Sequence, residues 1–453
     1  MKNPDLQEKL IRQDPIEIIE EEALPFGSIK LASDWEQLFS SLMEGETIIL
    51  LDGKTKAMIV DTKGGEKRSI EEPSSQVVVR GPRDGFTESI RTNTSLVRRR
   101  IKDPNLWVES MKIGKVTNTD VAMMYIKGIA NDKIVKEARK RLEQINIDSI
   151  LESGYIEQLI EDQTFTSFPT LYHTERPDAV AGNLLEGRIA IFVDGTPFVL
   201  LAPAVFIQFF QSVEDYYARF DIATAIRFLR ILIFFISLIA PAAYIAATTF
   251  HQEMIPTQLL IAVAAQREAV PFPAFVEAMI MEITFEILRE AGVRMPRAVG
   301  SAISIVGALV IGQAAVQAGI VSPAMTIVVA MTAIASFATP SFAMAIAARL
   351  VRFIFMIGAA AFGFYGIILG IIMLTIHLCG LRSFGVPYMM PFAPLSLVNN
   401  EDTLIRAPWW ALKKRPPLIS SENKVREGKD QKPQPPSDRG MMNLSNEKGD
   451  QHE

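Results

Sequence analysis

The chain changes rhythm near its middle: short apolar runs alternate with amphipathic stripes up to about residue 205, and long apolar runs take over beyond it. Glu46–Gly53 (ETIILLDG) is an apolar run closed by Asp-Gly, and Lys56–Asp61 (KAMIVD) is a second. Two such runs joined by a Gly-Lys-Thr turn predict a hairpin. Gln76–Arg80 (QVVVR), Met111–Val116 and Val121–Ile129 are further strand candidates. In Ile134–Ile147 the residues Ile134, Ala138, Leu142 and Ile145 share one stripe, the mark of an amphipathic helix over a sheet. Arg188–Leu201 reads strand–turn–strand, with Asp194–Pro197 (DGTP) as the turn. Residues 1–205 are therefore expected to form a soluble N-terminal α/β domain.

Residues 206–230 mix Phe209, Phe210, Tyr216, Tyr217 and Phe220 with Glu214, Asp215, Arg219, Arg227 and Arg230. Aromatic and arginine clusters flank membrane entry points, so this stretch reads as an interfacial elbow, with a plain linker helix as the alternative. Between Arg297 and Arg349 lie 51 residues without Asp, Glu, Lys or Arg, and between Arg352 and Arg382 lie 29 more. Uncharged apolar runs of 18 or more residues are membrane-span candidates. The pattern gives a polytopic α-helical membrane domain over 231–382, with spans at Ile231–Thr249, Ala298–Ala318, Ser322–Phe342 and Arg352–Leu378. Pro241 should kink or unwind the first of these, and the last is long enough to tilt. Arg219, Arg227 and Arg230 put the start of the first span on the cytoplasmic side. Arg294 and Arg297 precede the second and Arg349 and Arg352 the fourth, so the chain must return to that side between Thr249 and Arg294.

The candidate for that return is Pro273–Leu288 (PAFVEAMIMEITFEIL), whose 16 residues carry Glu277, Glu282 and Glu286. As a helix it rises about 24 Å, short of a hydrocarbon core of about 30 Å. The interfacial segment 383–415 ends in Trp409, Trp410, Lys413, Lys414 and Arg415, an anchor for a cytoplasmic face. A cytoplasmic tail needs an even number of crossings, and the pattern supplies five. Either one segment is re-entrant or Phe384–Leu397 crosses as well. From Pro416 onward the composition is that of a disordered tail, 416–453.

Composition adds exclusions. The 453 residues are 49% hydrophobic and 21% charged, with a mean hydropathy of +0.21, a low charge content for a soluble protein. A net charge of −5 gives no bulk attraction to nucleic acid. Cys379 is the single cysteine, which excludes intramolecular disulfides and Cys-rich metal sites. His173, His251, His377 and His452 have no zinc-like spacing, and no cofactor is expected. MKNPDLQEKLIRQD offers no apolar core for a cleavable signal, so the N-terminal part is expected in the cytoplasm.

The acid-rich helix is the main candidate for chemistry. At about 100° per residue from Glu277, Glu282 falls at ~140°, Glu286 at ~180°, Arg289 at ~120° and Glu290 at ~220°. Four ionisable groups thus share one face. A carboxylate at mid-bilayer costs about 2.5–3.5 kcal/mol, so these groups need water, a partner cation or a polar seam. In a ring of copies each Glu would become an acidic ring, which selects cations. The alternative is an interfacial helix whose acids face water. In the second span Gly300, Ser304, Ala308 and Gly312 form a small-residue ladder for close helix packing, repeated by Ala359/Gly363 and Gly366/Gly370. Arg80–Glu88 (RGPRDGFTE) reads as a structured turn with a salt bridge or as an anion site, without any phosphate-loop pattern. Arg98–Lys102 fits a solvated helix face or contact with anionic lipid, and His173–Asp178 a polar loop. No nucleophile–base arrangement stands out, so an enzyme is not expected.

Several segments together resemble the A subunit of the GerA family of spore germinant receptors. The carriers are Arg80–Glu88, Asn93–Leu106 (NTSLVRRRIKDPNL), Asp194–Pro197, Gln211–Tyr217 (QSVEDYY), Gln266–Glu290 (QREAVPFPAFVEAMIMEITFEILRE) and Val306–Pro323 (VGALVIGQAAVQAGIVSP). The resemblance implies a multi-pass protein of the spore inner membrane that acts with a permease-like B subunit, which binds the nutrient, and a C-type lipoprotein. It further implies a homo-oligomer forming a nutrient-gated channel for monovalent cations, with the acid-rich helix lining the pore. A non-conducting assembly subunit and an A-like amplifier of ion release are the alternatives within the family. An independent secondary transporter is disfavoured, since the spans show no inverted repeat. Family members carry a fuller first α/β subdomain before the region that starts here near Ile16–Gly27, so that subdomain is expected to be missing or reduced.

Overall fold

A computed structural model of the chain describes residues 29–43, 47–60, 72–73, 76–294, 312–395, 402–416, 418–420, 423–428 and 431–433. The predicted hairpin is present. Strand β2 (Thr47–Ile49) pairs antiparallel with β3 (Ala57–Val60), which also pairs with β1 (Ile29–Ala32). Helix α1 (Trp35–Met43) packs on this three-stranded sheet.

The larger sheet is antiparallel throughout, in the order β4 (Leu106–Ile113), β5 (Thr119–Ile126), β7 (Ile189–Val193), β8 (Val199–Ala202), β6 (Tyr172–Thr174). Every residue of β7 and β8 is buried, as continuous apolar runs covered on both faces should be. Alternate side chains sort between the two faces. Ala122, Met124, Ala190 and Phe192 face α2 (Ile90–Arg100) and, over residues 177–185, α5 (Pro177–Leu185). Val121, Met123, Ile189 and Ile191 face α3 (Asp132–Gln144) and α4 (Ser153–Ile160). The predicted stripe on α3 holds, with Ile134, Ala138 and Leu142 buried and Asn131 capping the first turn through Lys133 N at 3.0 Å. Gln76–Arg80 is a loop and not a strand: Gly81 turns the chain at φ +141° beside the ring of Tyr217, and Val79 is left exposed.

The expected elbow is a corner with one buried and one exposed side. A 3-10 turn (Phe206–Phe210) and the short α6 (Glu214–Tyr217) lead into α7 (Phe220–Thr249), which starts at Phe220 and runs unbroken through Pro241. Phe206, Phe210, Phe234 and Tyr388 stack edge to face, with centroids 4.9 Å apart for Phe210–Phe234. One side of the corner is interior, with Arg227 0% and Asp215 2% exposed, while Phe220, Ile222, Phe228 and Leu229 on the other are 43%, 52%, 62% and 51% exposed.

Beyond α7 come α8 (Thr257–Arg267), α9 (Ala274–Arg294), α10 (Pro323–Phe337), α11 (Phe342–Phe362) and α12 (Phe364–Gly380). Among the described residues two helices, α7 and α11, are long and apolar enough to cross a membrane, while α10 and α12 are shorter apolar helices. The acid-rich helix is longer than expected: its 21 residues rise about 32 Å, a full hydrocarbon thickness. The single long span over 352–378 is also corrected. Gly363, at φ +60°, breaks it into α11 and α12, which fold back on one another with Gly358 against Gly366. The span at 298–318 falls mostly outside the described residues, as do Gly300, Ser304 and Ala308. Residues 312–317 are helical, and Gly312 lies against Thr326.

Contacts fix the directions of α7, α11 and α12. Phe234 of α7, Met344 and Ala347 of α11 and Leu378 of α12 all enter the core of the large sheet. At the far end His251, just beyond α7, meets Phe364. Thus α7 and α11 run away from the N-terminal domain, and α12 returns to it. The segment after α12 then stays on that domain. Strands β9 (Arg382–Ser383) and β10 (Val386–Pro387) form a small hairpin, and Tyr388 is fully buried. Part of the region expected to be disordered is ordered. Ile419 is 1% exposed, Ser420 bridges Ala130, and Arg415 donates to the carbonyls of Leu185 and Val425 at 2.7 Å each. Few apolar residues were needed, because one guanidinium satisfies several loop carbonyls at once.

Candidate functional site

Helix α9 has no proline and holds Gly292 only in its last turn, so its acids are set on a regular frame. They do not face water as a group. Glu277 and Glu282 are 0% and 1% exposed. Glu277 Oε1 accepts from the backbone N–H of Ser322 at 2.6 Å and from its hydroxyl, while Arg267 Nε lies 3.8 Å from Oε2. Ser322 is itself the N-cap of α10, accepting from Met325 N at 3.2 Å. The Glu277 carboxylate therefore sits at a helix N-terminus, where partial positive charge favours it. Glu282 pairs with Arg352 of α11 at 2.7 Å, both side chains 1% exposed, and Glu286 pairs with Arg349 at 2.6 Å.

These contacts form a ladder of three ion pairs between α9 and its neighbours. Arg289 departs from it. It donates to Ser336 Oγ at 3.3 Å and lies over the rings of Phe337 and Phe342, at 4.9 and 5.6 Å from their centroids. Glu290 is exposed, beside an open groove of about 580 Å³ lined by Ile283, Glu286, Ile287, Glu290, Ala291 and Phe353. The expected single ionisable face thus divides: Glu282, Glu286 and Arg289 turn inward, and Glu290 turns out. Of the outcomes open to the sequence, the partner cation is the one found, and it comes from the same chain. The topological reading of Arg349 and Arg352 missed this role. Their i, i+3 spacing complements the i, i+4 spacing of Glu282 and Glu286 on an antiparallel helix, a signal that was available.

A second buried network lies where α7 leaves the N-terminal domain. Arg227 pairs with Asp215 at 3.2 Å and with Asp402 at 3.0 Å, and Arg230 reaches Asp215 at 2.9 Å. Tyr216 donates to Asp402 at 2.6 Å. Burial pushes the Asp402 carboxyl up against the opposing pull of Arg227, and it raises the Tyr216 phenol well above its ordinary range. The network ties the domain, the foot of α7 and the C-terminal segment together, a role that no local pattern marked.

The other candidates resolve into structure. Arg80–Glu88 is a turn with a salt bridge, Asp84 to Arg100 at 2.5 Å. In His173–Asp178 the buried pair Arg176–Asp178 closes at 2.7 Å, and Tyr217 donates to Asp178. Burial lowers the His173 pKa, which keeps the ring neutral. Among the described residues no group of three or more His, Cys, Asp or Glu is placed to hold a metal ion.

An α/β domain joined to apolar helices with internal acid–base pairs defines a membrane-associated protein, and comparison with known proteins supplies the family. The profile described as "Bacillus/Clostridium GerA spore germination protein" matches residues 2–418. The chain is 68% identical over 451 residues to "Spore germination protein KA" of Bacillus subtilis (strain 168), covering 99% of this chain and 83% of that one. It is 50% identical over 400 residues to "Uncharacterized membrane protein YfkQ" of the same organism, covering 88% and 78%. It is also similar to a solved structure, "Crystal structure of the N-terminal domain of the A subunit of the Bacillus megaterium spore germinant receptor GerK3". There the identity is 57%, the coverage 46% of this chain and 75% of that one, and the TM-score 0.35. The chain belongs to the GerA family of spore germination proteins.

Proposed function

We propose that this chain is the A subunit of a nutrient germinant receptor in the inner membrane of the spore, with its N-terminal domain on the cytoplasmic side. It acts with a permease-like B subunit and a C-type lipoprotein. Copies of the chain surround an axis through which monovalent cations pass when nutrient binds. The α9 ladder carries this reading. A helix as long as a bilayer core holds three carboxylates, and arginines of α8 and α11 neutralise them in this conformation. The pairs describe a closed state. Moving α9 away from α11 would free Glu282 and Glu286 to meet cations, and rings of such acids select cations. Glu277 and Arg289 mark the two ends of the path, and Glu290 stands at its mouth. On the outer face Ile283 and Ile287 would form an apolar constriction of the kind that gates by dewetting.

The test is cation efflux from liposomes holding this chain with its B and C partners. Nutrient should trigger efflux in the wild type. Glu282→Gln/Glu286→Gln should abolish the gating or the selectivity, and the exposed Glu290→Gln should alter selectivity alone. Efflux unchanged by all three substitutions, at equal protein content, would assign α9 to assembly and signal coupling instead.

A further inference from the structure

The N-terminal domain carries an apolar patch that no described residue covers. Leu151, Tyr155, Leu159 and Phe165 are 64%, 40%, 49% and 94% exposed. They lie just before, along and just after α4, whose opposite side buries Ile156 and Ile160. That buried side belongs to the sheet face into which the feet of α7, α11 and α12 also pack, so α4 lies on the membrane-helix side of the domain. Helix α2 lies on the opposite face.

The loop after α4 is fastened to the foot of α12. The Thr166 hydroxyl and His377 Nε2 are hydrogen-bonded at 3.0 Å, and Gly385 N donates to Asp162 Oδ2 at 2.9 Å. The Phe168 and His377 rings lie 6.3 Å apart. The outer side of α12 is apolar down to this level, with Ile372, Met373 and Ile376 49%, 70% and 67% exposed. Phe165 is therefore carried at the last turn of an apolar flank and continues it onto the domain. We infer that α4 and the loop after it dip into the lipid interface, anchoring the N-terminal domain flat against the leaflet from which α7 departs. This rests on the reading that α7–α12 sit in a bilayer.

Charge points to the manner of binding. The acids near the patch are Glu152, Glu157, Glu161 and Asp162, with Arg141 bound to Asp162. Residues 151–167 carry no Lys or Arg, so the contact is apolar insertion of aromatic and aliphatic side chains to the depth of the headgroup boundary. It should survive high salt, unlike a basic patch held by surface charge.

The experiment uses the full chain with Cys379→Ser, reconstituted in phosphatidylcholine vesicles containing a doxyl-labelled lipid. An environment-sensitive probe is attached in turn to Phe165→Cys, Tyr155→Cys, Arg91→Cys on α2 and Ile372→Cys on α12. If the patch inserts about 5–10 Å, as interfacial helices do, the lipid quencher should dim the probes at 165 and 155 by about half. The probe at 91 should stay bright, and 1 M salt should change nothing. Quenching at 372 but not at 165 or 155 would overturn this proposal alone. No quenching at 372 would overturn the membrane reading beneath it. Cross-links forming between copies at position 165 would give the patch to a second chain and refute the lipid assignment.

Discussion

Replacing Glu282 by Leu strands the Arg352 guanidinium in a site where both partners are 1% exposed. At their 2.7 Å separation the two charges attract by about 6 kcal/mol at an effective dielectric of about 20. Desolvating each ion costs several kcal/mol, so the intact pair is worth little more than an apolar pair, whereas half of it is costly. The contact is a single one: among the described residues Glu282 Oε1 and Arg352 Nε and Nη2 have no hydrogen-bond partner. Glu282→Leu and Arg352→Met should therefore each destabilise the chain by about 3–5 kcal/mol, and the double variant should return to within ~1 kcal/mol of wild type or exceed it. The assay is a denaturant titration of the purified full chain in mixed micelles, followed by circular dichroism, with the coupling taken from the double-mutant cycle. Additive losses in the double variant, or an Arg352→Met variant as stable as wild type, would refute the assignment of this pair as a mutually dependent unit.

Three further outcomes follow from particular contacts. A Cβ on Gly366 would lie 2.1 Å from the Gly358 carbonyl oxygen, whereas one on Gly358 meets the Gly366 oxygen at 3.4 Å. Gly366→Ala should thus force α11 and α12 apart and cost about 1–3 kcal/mol or more by the same titration, with Gly358→Ala near neutral. Asp402→Asn weakens the charged bonds to Arg227 and Tyr216, each worth about 1.5–3 kcal/mol, so tryptic cleavage at Lys413 and Lys414 should quicken about tenfold or more. An unchanged digestion rate would detach the C-terminal segment from that network. Burial, with Glu161 and Glu152 nearby, pushes the Glu157 pKa up to about 7 from an ordinary value of 4.5. A raised carboxyl pKa means that the unfolded state gives up the proton first, so stability falls as pH rises from 4.5 to about 7. Glu157→Gln should flatten that slope and stabilise the chain at pH 8, as read by melting of the full chain across the pH range.

The large sheet was legible because alternation is a property of consecutive positions. Val121, Met123 and Ile189, Ile191 declare one face, and Ala122, Met124 and Ala190, Phe192 the other, before any partner is known. The acid-rich helix and the uncharged stretches were readable for the same reason, and so was the Asp194–Pro197 turn. The elbow was legible only in part, because aromatics and arginines signal a lipid boundary and a buried polar corner equally well. Only the arrival of Asp402, 175 positions from Arg227, shows which of its polar groups are buried. The packing of the first residues after Pro416 was not legible, because composition counts apolar residues and not what a single arginine can fasten.

Sequence by itself determined the family, the division into an α/β domain and apolar helices, and the presence of acids along one helix, though not that helix's full length. It could not say what neutralises those acids. Glu282 finds Arg352 across 70 positions and Glu286 finds Arg349 across 63, and only packing α9 against α11 brings them within bonding distance. The tertiary fold also split one apolar run into two antiparallel helices at Gly363. A reversal there depends on two backbones meeting at Gly358 and Gly366, a contact that hydropathy alone does not encode. Local pattern records which side chains must leave water, and the fold decides which of them meet.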